Sequence, residues 1–468
     1  LRRRQRQMCI RDSTWTPVSG ADGYNVYCKP IGGSYVQLDS MLIRQYSGYF
    51  RADAVGLKPG SYVMKVVPTA DGKEDTSKAV ESDAITVGNY DRSGFAFSKN
   101  SPNGGTGVGA YNDDGTLKDD AIVLYLTEET KKTMKFDVKG SSGYVSCTGL
   151  VEILDAYSDG YDSRPLNIRI IGKVTADGVV GANSDTNNLN LKTNNTKRIV
   201  KNITIEGIGD DAVCYGFGIR GLKIQSVEIR NIGIMLFGDD GIAFETANKN
   251  IWVHNNDIFY GTAGGDADQA KGDGSLDLKN DSQYFTISYN HFWDSGKMSL
   301  CGMKSETGEN WITYHHNWFD HSDSRHPRIR TMSVHVYNNY YDGNAKYGVG
   351  AVLDADAFVE ANYFRNCKYP MLICGQGSDT GTFDDGVGAM IKSYGNYIEG
   401  AKSYITQNES STSFDAYEVS SRNEKVPDSV KSLDGMGYNN FDTDSSIMYS
   451  YTADAAADVP AIAVSYTH

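Results

Sequence analysis

The chain has 468 residues, two to three times the size of a usual domain, so it holds several modules or one large repetitive one. Charged residues make up 22% and the hydrophobic set 40%, with 31 Tyr and only 10 Pro, too apolar and aromatic for a disordered chain. Its 45 Lys and Arg against 59 Asp and Glu leave a net charge of −14, the wrong sign for a protein that coats nucleic acid.

No stretch approaches the roughly 18 apolar residues of a membrane-spanning helix. Seven cysteines occur without a CxxC pair, which argues against a zinc ribbon or a thioredoxin-type redox site and assigns no disulfide. Residues 1–12 carry Arg2, Arg3, Arg4, Arg6 and Arg11 but no apolar run, so they are not a secretory signal peptide. They read as foreign to the natural protein, as do residues 464–468, and both ends are expected to lie outside the fold. Without residues 1–12, 40 basic against 58 acidic residues leave a charge of −18. An anionic substrate would then need positive charge gathered locally.

Residues 13–88 consist of short alternating runs separated by turns: Gly23-Tyr24-Asn25-Val26-Tyr27, Tyr35-Val36-Gln37-Leu38, and Ser61-Tyr62-Val63-Met64-Lys65-Val66-Val67. Period-two alternation with Gly and Pro between runs predicts a small antiparallel β-sandwich. Trp15-Thr16-Pro17 ahead of Gly23-Tyr24, and Leu57-Lys58-Pro59-Gly60-Ser61-Tyr62 before a late strand, resemble a fibronectin type III domain. A spacer or packing role is expected of it.

Residues 89–463 change to many Gly, Asn and Asp with short β-branched runs. An Asn followed two positions later by a large apolar residue recurs as Asn256/Ile258, Asn290/Phe292, Asn317/Phe319, Asn339/Tyr341, Asn362/Phe364 and Asn396/Ile398. The spacings, 34, 27, 22, 23 and 34 residues, suit a solenoid whose coils share one circumference while some carry inserted loops. A coil of about 22 residues holds three short strands and three turns, the geometry of a parallel β-helix. The chain is therefore read as all-β. Asn tolerates the left-handed conformation and is expected at the bend itself, stacked into a ladder. Val253, Ile287, Phe292, Phe319 and Val336 are expected inside the cylinder.

On such a helix the outward face of a strand is exposed and rigid. In Asp273-Gly274-Ser275-Leu276-Asp277-Leu278-Lys279, parity puts Asp273, Asp277 and Lys279 on one face and both leucines on the other. Asp239-Asp240-Gly241 lies about one and a half coils earlier, from where a carboxylate could stack beside them. Several carboxylates without a neighbouring Cys or His pair describe an oxygen-coordinated ion, so Ca²⁺ fits better than Zn²⁺. Lys297 follows one coil later, and Asp323-Ser324-Arg325-His326-Pro327-Arg328-Ile329-Arg330 is a dense cationic stretch in an acidic chain. This local reversal of charge marks a site for an anionic ligand.

These motifs, together with Ile287-Ser288-Tyr289-Asn290, Tyr314-His315-His316-Asn317 and Val334-His335-Val336-Tyr337-Asn338-Asn339-Tyr340, resemble the pectate lyases of polysaccharide lyase family 1. The resemblance implies a right-handed parallel β-helix that cleaves de-esterified polygalacturonate, an acidic plant cell-wall polysaccharide, by Ca²⁺-dependent β-elimination. It implies Asp240, Asp273 and Asp277 as Ca²⁺ ligands and Arg325 as the base that takes the C5 proton. Lys297 and Arg330 would bind the uronate carboxylate, with Lys279 a weaker candidate. A guanidinium holds its proton strongly, so the resemblance also implies an alkaline optimum. It implies a secreted or cell-surface monomer whose signal peptide is missing from this sequence, with neither a nucleic-acid partner nor a membrane span.

Two positions depart from the family pattern. Trp252-Val253-His254-Asn255 has His then Asn where an acidic residue and His are usual, and Tyr347-Gly348-Val349-Gly350-Ala351-Val352 lacks a further substrate-binding Arg. His315-His316 invites a metal reading, but neighbouring strand residues point oppositely, so packing and ladder roles are expected. The rival functions are a pectin lyase, a polygalacturonase-like hydrolase with paired acid and base carboxylates, and a non-catalytic pectin-binding β-helix.

Overall fold

Short β-branched runs bounded by Asn and Gly stack coil upon coil in a computed structural model, which describes residues 10–182, 184, 186–260, 273–304, 306–307, 310–383 and 388–467. On the first face Lys249–His254, Gln283–Ser288, Trp311–His315, Ser333–Tyr337 and Ala355–Glu360 pair in parallel, so that Val253, Ile287, Tyr314, Val336 and Val359 stand in line. A second face carries Asp257–Phe259, His291–Trp293, Trp318–Asp320, Tyr340–Asp342 and Tyr363–Arg365, again parallel. Among the described residues the third face is a sheet of eight strands that includes Asp240–Glu245, Gly274–Lys279, Leu300–Cys301 and Arg328–Arg330. The fold is a parallel β-helix, as the repeat predicts.

Its interior is a column of apolar side chains. Val253, Ile287, Phe292, Phe319 and Val336 are fully buried, and Phe292, Phe319, Tyr341 and Phe364 stack with ring centroids 4.3 to 5.2 Å apart. All six predicted asparagines join one ladder. The Nδ2 of Asn256, Asn290, Asn317, Asn339 and Asn362 each donates to the Oδ1 of the next, at 2.9 to 3.0 Å. The left-handed residue of the bend is not the ladder asparagine, however, but the one before it: Asn255 (φ 52°), Tyr289 (54°), His316 (53°), Asn338 (51°) and Ala361 (50°). The ladder supplies hydrogen bonds to the backbone at each bend, while its neighbour turns the chain.

Two straps cover the first face. Near the N-terminal side, Phe95 N donates to Thr313 Oγ1 and Ala96 N to Thr286 Oγ1, both at 3.1 Å. From the C-terminal side, Asp454 N donates to Asn338 Oδ1 at 2.8 Å and Tyr449 bonds Thr313 and His335.

Residues 10–87 form antiparallel sheets packed around Val26, Ala52, Ala54, Tyr62, Met64 and Val87. They dock on the β-helix through Arg44 and Arg51, which pair with Asp211 and Asp210 at 2.7 and 3.1 Å. Both ends correct the sequence reading. Residues 10–12 belong to Ile10–Trp15, which pairs with Tyr49–Val55; residues 464–467 continue the helix Val459–Thr467, whose Val459 and Ala463 pack on Tyr340. Residues 1–9 and 468 lie outside the described residues, as do parts of the loops 181–201 and 375–388. The six described cysteines are buried free thiols.

Candidate functional site

The outward side chains of the third face converge where Asp240–Glu245 pairs with Gly274–Lys279. Asp240 aligns with Gly274, Ala243 with Asp277 and Glu245 with Lys279. Asp240 therefore sits in the adjacent coil, not one and a half coils away. Leu276 and Leu278 point inward and are fully buried, as parity requires. Gly274 leaves open the space above its Cα: a Cβ there would lie 2.4 Å from Asp277 Oδ1 and 2.9 Å from Asp240 Oδ1. Two carboxylates thus share one cradle.

Lys279 Nζ lies 2.8 Å from Asp240 Oδ2 and 3.3 Å from Asp277 Oδ2, and Lys297 Nζ lies 2.9 Å from Asp273 Oδ1. Burial, joined by the charge of Asp277, pushes Asp240 up to about 8 even though Lys279 pulls it down. A proton and a cation compete for such a carboxylate. Burial also acts to raise Asp273, but the Lys297 bond and the charges of Lys297, Arg325 and Lys279 bring it below the usual range.

Asp239 belongs to this cluster although sequence reasoning passed over it. Asp239, Asp240 and Asp273 offer oxygens that all lie within 4.8 Å of one another. Asp239 precedes the strand, so the alternation that would separate it from Asp240 does not apply. Asp277 is held differently, its Oδ1 accepting from Leu300 N at 2.9 Å. Among the described residues Asp240 Oδ1 is buried without a hydrogen-bond partner. An orphaned oxygen, an open cradle and an all-oxygen donor set fit a hard divalent cation such as Ca²⁺.

The cationic side lies one coil on, where Lys297 bridges to Ser324 in parallel. Arg325 adopts a left-handed conformation (φ 67°), and its carbonyl accepts from Ser299 N at 2.8 Å. His326 anchors this bend: its Nδ1 faces the carbonyl of Tyr347 and its Nε2 faces Ser322 Oγ, each at 2.6 Å. The neutral ring therefore donates from Nδ1 and accepts at Nε2. In the next strand Arg328 and Arg330 point outward on either side of buried Ile329. Arg328, a further cation beside the predicted set, lies over the Phe383 ring at 5.0 Å; its two-residue spacing from Arg330 is the sequence signal that could have found it. The predicted carboxylates and lysines are thus directly joined, with Arg325 and Arg330 supplied by the following coils.

Residues 80–453 match the family described as pectate lyase. The chain belongs to the pectate lyase family. A pectate trisaccharide-lyase of Bacillus licheniformis is 31% identical over 225 residues, covering 47% of this chain and 62% of that protein. Pectate lyase 3 of Pectobacterium carotovorum is 36% identical over 196 residues, 40% of this chain and 52% of the relative. This family member thus spans little more than half the length of the curated relatives it matches. A solved pectate lyase of Bacillus sp. N165, in complex with trigalacturonate, shares the fold at a TM-score of 0.55 and 22% identity, covering 79% of this chain and 96% of the other.

Proposed function

We propose that this chain is a Ca²⁺-dependent pectate lyase that cleaves de-esterified polygalacturonate by β-elimination. One observation carries the reading: Asp240 and Asp277 share a cradle with Lys279, and Asp273 beside Asp240 pairs with Lys297 and feels the charge of Arg325, in a chain whose net charge is −14. The name of the Bacillus licheniformis relative and the trigalacturonate of the solved neighbour support an oligogalacturonate substrate.

Asp240, Asp273 and Asp277, with Asp239 beside them, would hold Ca²⁺. When bound, that ion supplies positive charge next to the uronate carboxylate, which makes the adjacent C5 proton removable. Lys297 and Arg330 bind the carboxylate and stabilise the charge that develops on it. Arg325 takes the C5 proton; the electron pair forms the C4–C5 double bond as the C4–O bond breaks, and solvent protonates the leaving oxygen. Lys279, paired with Asp240 and Asp277, holds the carboxylates in place and contacts sugar only secondarily. His326 fixes the bend that carries Arg325. The N-terminal antiparallel sheets fit a fibronectin type III-like packing module covering residues 13–88, ahead of a lyase unit over 89–463. The enzyme would act as a secreted monomer on acidic plant cell-wall polysaccharide.

The test is digestion of polygalacturonate at alkaline pH with and without Ca²⁺, followed by the ultraviolet absorbance of the unsaturated uronide. Reducing ends without that absorbance would mean hydrolysis, and the proposal would fail.

A further inference from the structure

On the first face, away from the carboxylate cradle, the left-handed turn at His316 breaks strand alternation and brings two imidazoles together that sequence parity had separated. His315 Nδ1 and His316 Nδ1 face each other at 2.8 Å. Asp91, from the N-terminal strap, brings its Oδ2 to 3.9 Å from His315 Nδ1. One ligand atom from each of the three lies within 4.8 Å of the others. We propose that Asp91, His315 and His316 form a second metal site, selective for a Zn²⁺-class ion and separate from the Ca²⁺ cradle.

The donor chemistry selects the ion. Two imidazole nitrogens and one carboxylate oxygen suit Zn²⁺, whereas Ca²⁺ takes oxygen. At Zn–N distances of about 2.0 Å, tetrahedral ligand atoms stand about 3.3 Å apart. The 2.8 and 3.9 Å separations bracket that value and the third lies within 4.8 Å, so side-chain adjustment without backbone rearrangement brings the three atoms into range.

The outer partners are in place as well. His316 Nε2 lies 2.9 Å from Asp454 Oδ2, on the C-terminal strap, so it carries the proton and leaves the Nδ1 lone pair inward. Tyr289 donates to Asp91 Oδ2 at 3.0 Å and stacks on His316, while His315 stacks on Tyr337. Without an ion, His315 Nδ1–H donates to His316. Moving that proton to the buried His315 Nε2 frees the second lone pair without net proton release. The side chains of Asp91 and Asp454 are 33% and 47% exposed, which leaves an entry path and room for a water as fourth ligand. A bound ion would staple both straps to one bend of the ladder.

The test is titration of the metal-stripped full chain with Co²⁺ in excess Ca²⁺. The expected result is one equivalent of visible d–d absorption, displaced by Zn²⁺. His316→Gln and the milder Asp91→Asn should each weaken Co²⁺ binding at least tenfold, and Asp454→Asn about tenfold, with unchanged circular dichroism. His321→Ala, in the separate Asp320–His321–Asp342 group, should leave the band intact. Absence of the band overturns the proposal; so does a band that survives Asp91→Asn and His316→Gln, or one lost with His321→Ala. None of these readouts depends on lyase activity.

Discussion

Asp240 and Asp277 lean over the same Cα, that of Gly274, with both Oδ1 atoms in the space a side chain there would take. Burial and mutual repulsion make this arrangement costly without a cation, as the raised pKa of Asp240 records. Gly274 is not among the residues with positive φ, so alanine is compatible with its backbone. The consequence of Gly274→Ala is therefore steric: the methyl group forces the carboxylates apart. Calorimetric Ca²⁺ affinity is expected to fall at least tenfold while the circular dichroism of the β-helix stays unchanged.

Arg325 and the pair Lys297 and Arg330 are expected to separate kinetically. A residue that takes the C5 proton acts only in the transition state, so Arg325→Ala should lower kcat by about 10²- to 10⁴-fold with little change in KM. Lys297→Ala and Arg330→Ala remove contacts to the uronate carboxylate, so KM should rise as well. Steady-state kinetics on polygalacturonate at saturating Ca²⁺ distinguishes the two patterns.

The outward face of Asp277 and Lys279 was legible because strand parity is a local rule, whereas the roles of Lys297, Arg325 and Arg330 came from the family resemblance. Leu276 and Leu278 alternate with Asp277 and Lys279 in sequence as they do in space, and six asparagines revealed the coil length before any contact was known. Parity failed where the chain leaves the strand. Asp239 stands just before one, and His316 sits in a left-handed bend, so each points where alternation forbids. Contacts made by the straps were not legible either, since His316 meets Asp454 across 138 residues. No local pattern encodes such a pairing.

Acid should destabilise the fold through buried histidines. Burial pulls His326 down to about 4, below its unfolded value near 6.5, against the opposing effect of its backbone hydrogen bonds. The unfolded chain binds more protons in this window, so stability is fully present above pH 6.5 and is lost as pH falls toward 4. The shift corresponds to about 3 kcal/mol for this one ring. Urea midpoints at pH 7 and pH 4.5 should show a smaller loss for His326→Gln than for the natural chain.

The ladder should be weakest when cut in its middle. Asn317 donates to Ile287 O and Asn339 Oδ1 and accepts from Asn290 N and Nδ2, at 2.8 to 3.1 Å. Asn317→Ala removes these four buried hydrogen bonds, although Asn339 Oδ1 keeps Asn317 N and Asn290 Nδ2 keeps Val253 O, at a cost of about 3 to 5 kcal/mol. Asn396 ends the described ladder, so Asn396→Ala should cost less in the same urea titration.

Docking of the N-terminal sheets depends on Arg44. Its guanidinium pairs with Asp211 at 2.7 Å and with fully buried Asp53 at 2.9 Å, and it lies against the backbone of Gly209. A Cβ on Gly209 would meet Arg44 Nη2 at 1.9 Å, and its φ of 81° disfavours any side chain. Arg44→Ala leaves Asp53 to Arg51 alone and should destabilise the N-terminal unit by about 3 kcal/mol. Gly209→Ala should act through the same guanidinium, because the methyl group displaces the Arg44 Nη2 that bonds Asp53 Oδ2. For both variants calorimetry is expected to resolve an early transition of the N-terminal sheets, with the β-helix melting as before; a single transition at the original temperature would mean that Arg44 does not carry the docking.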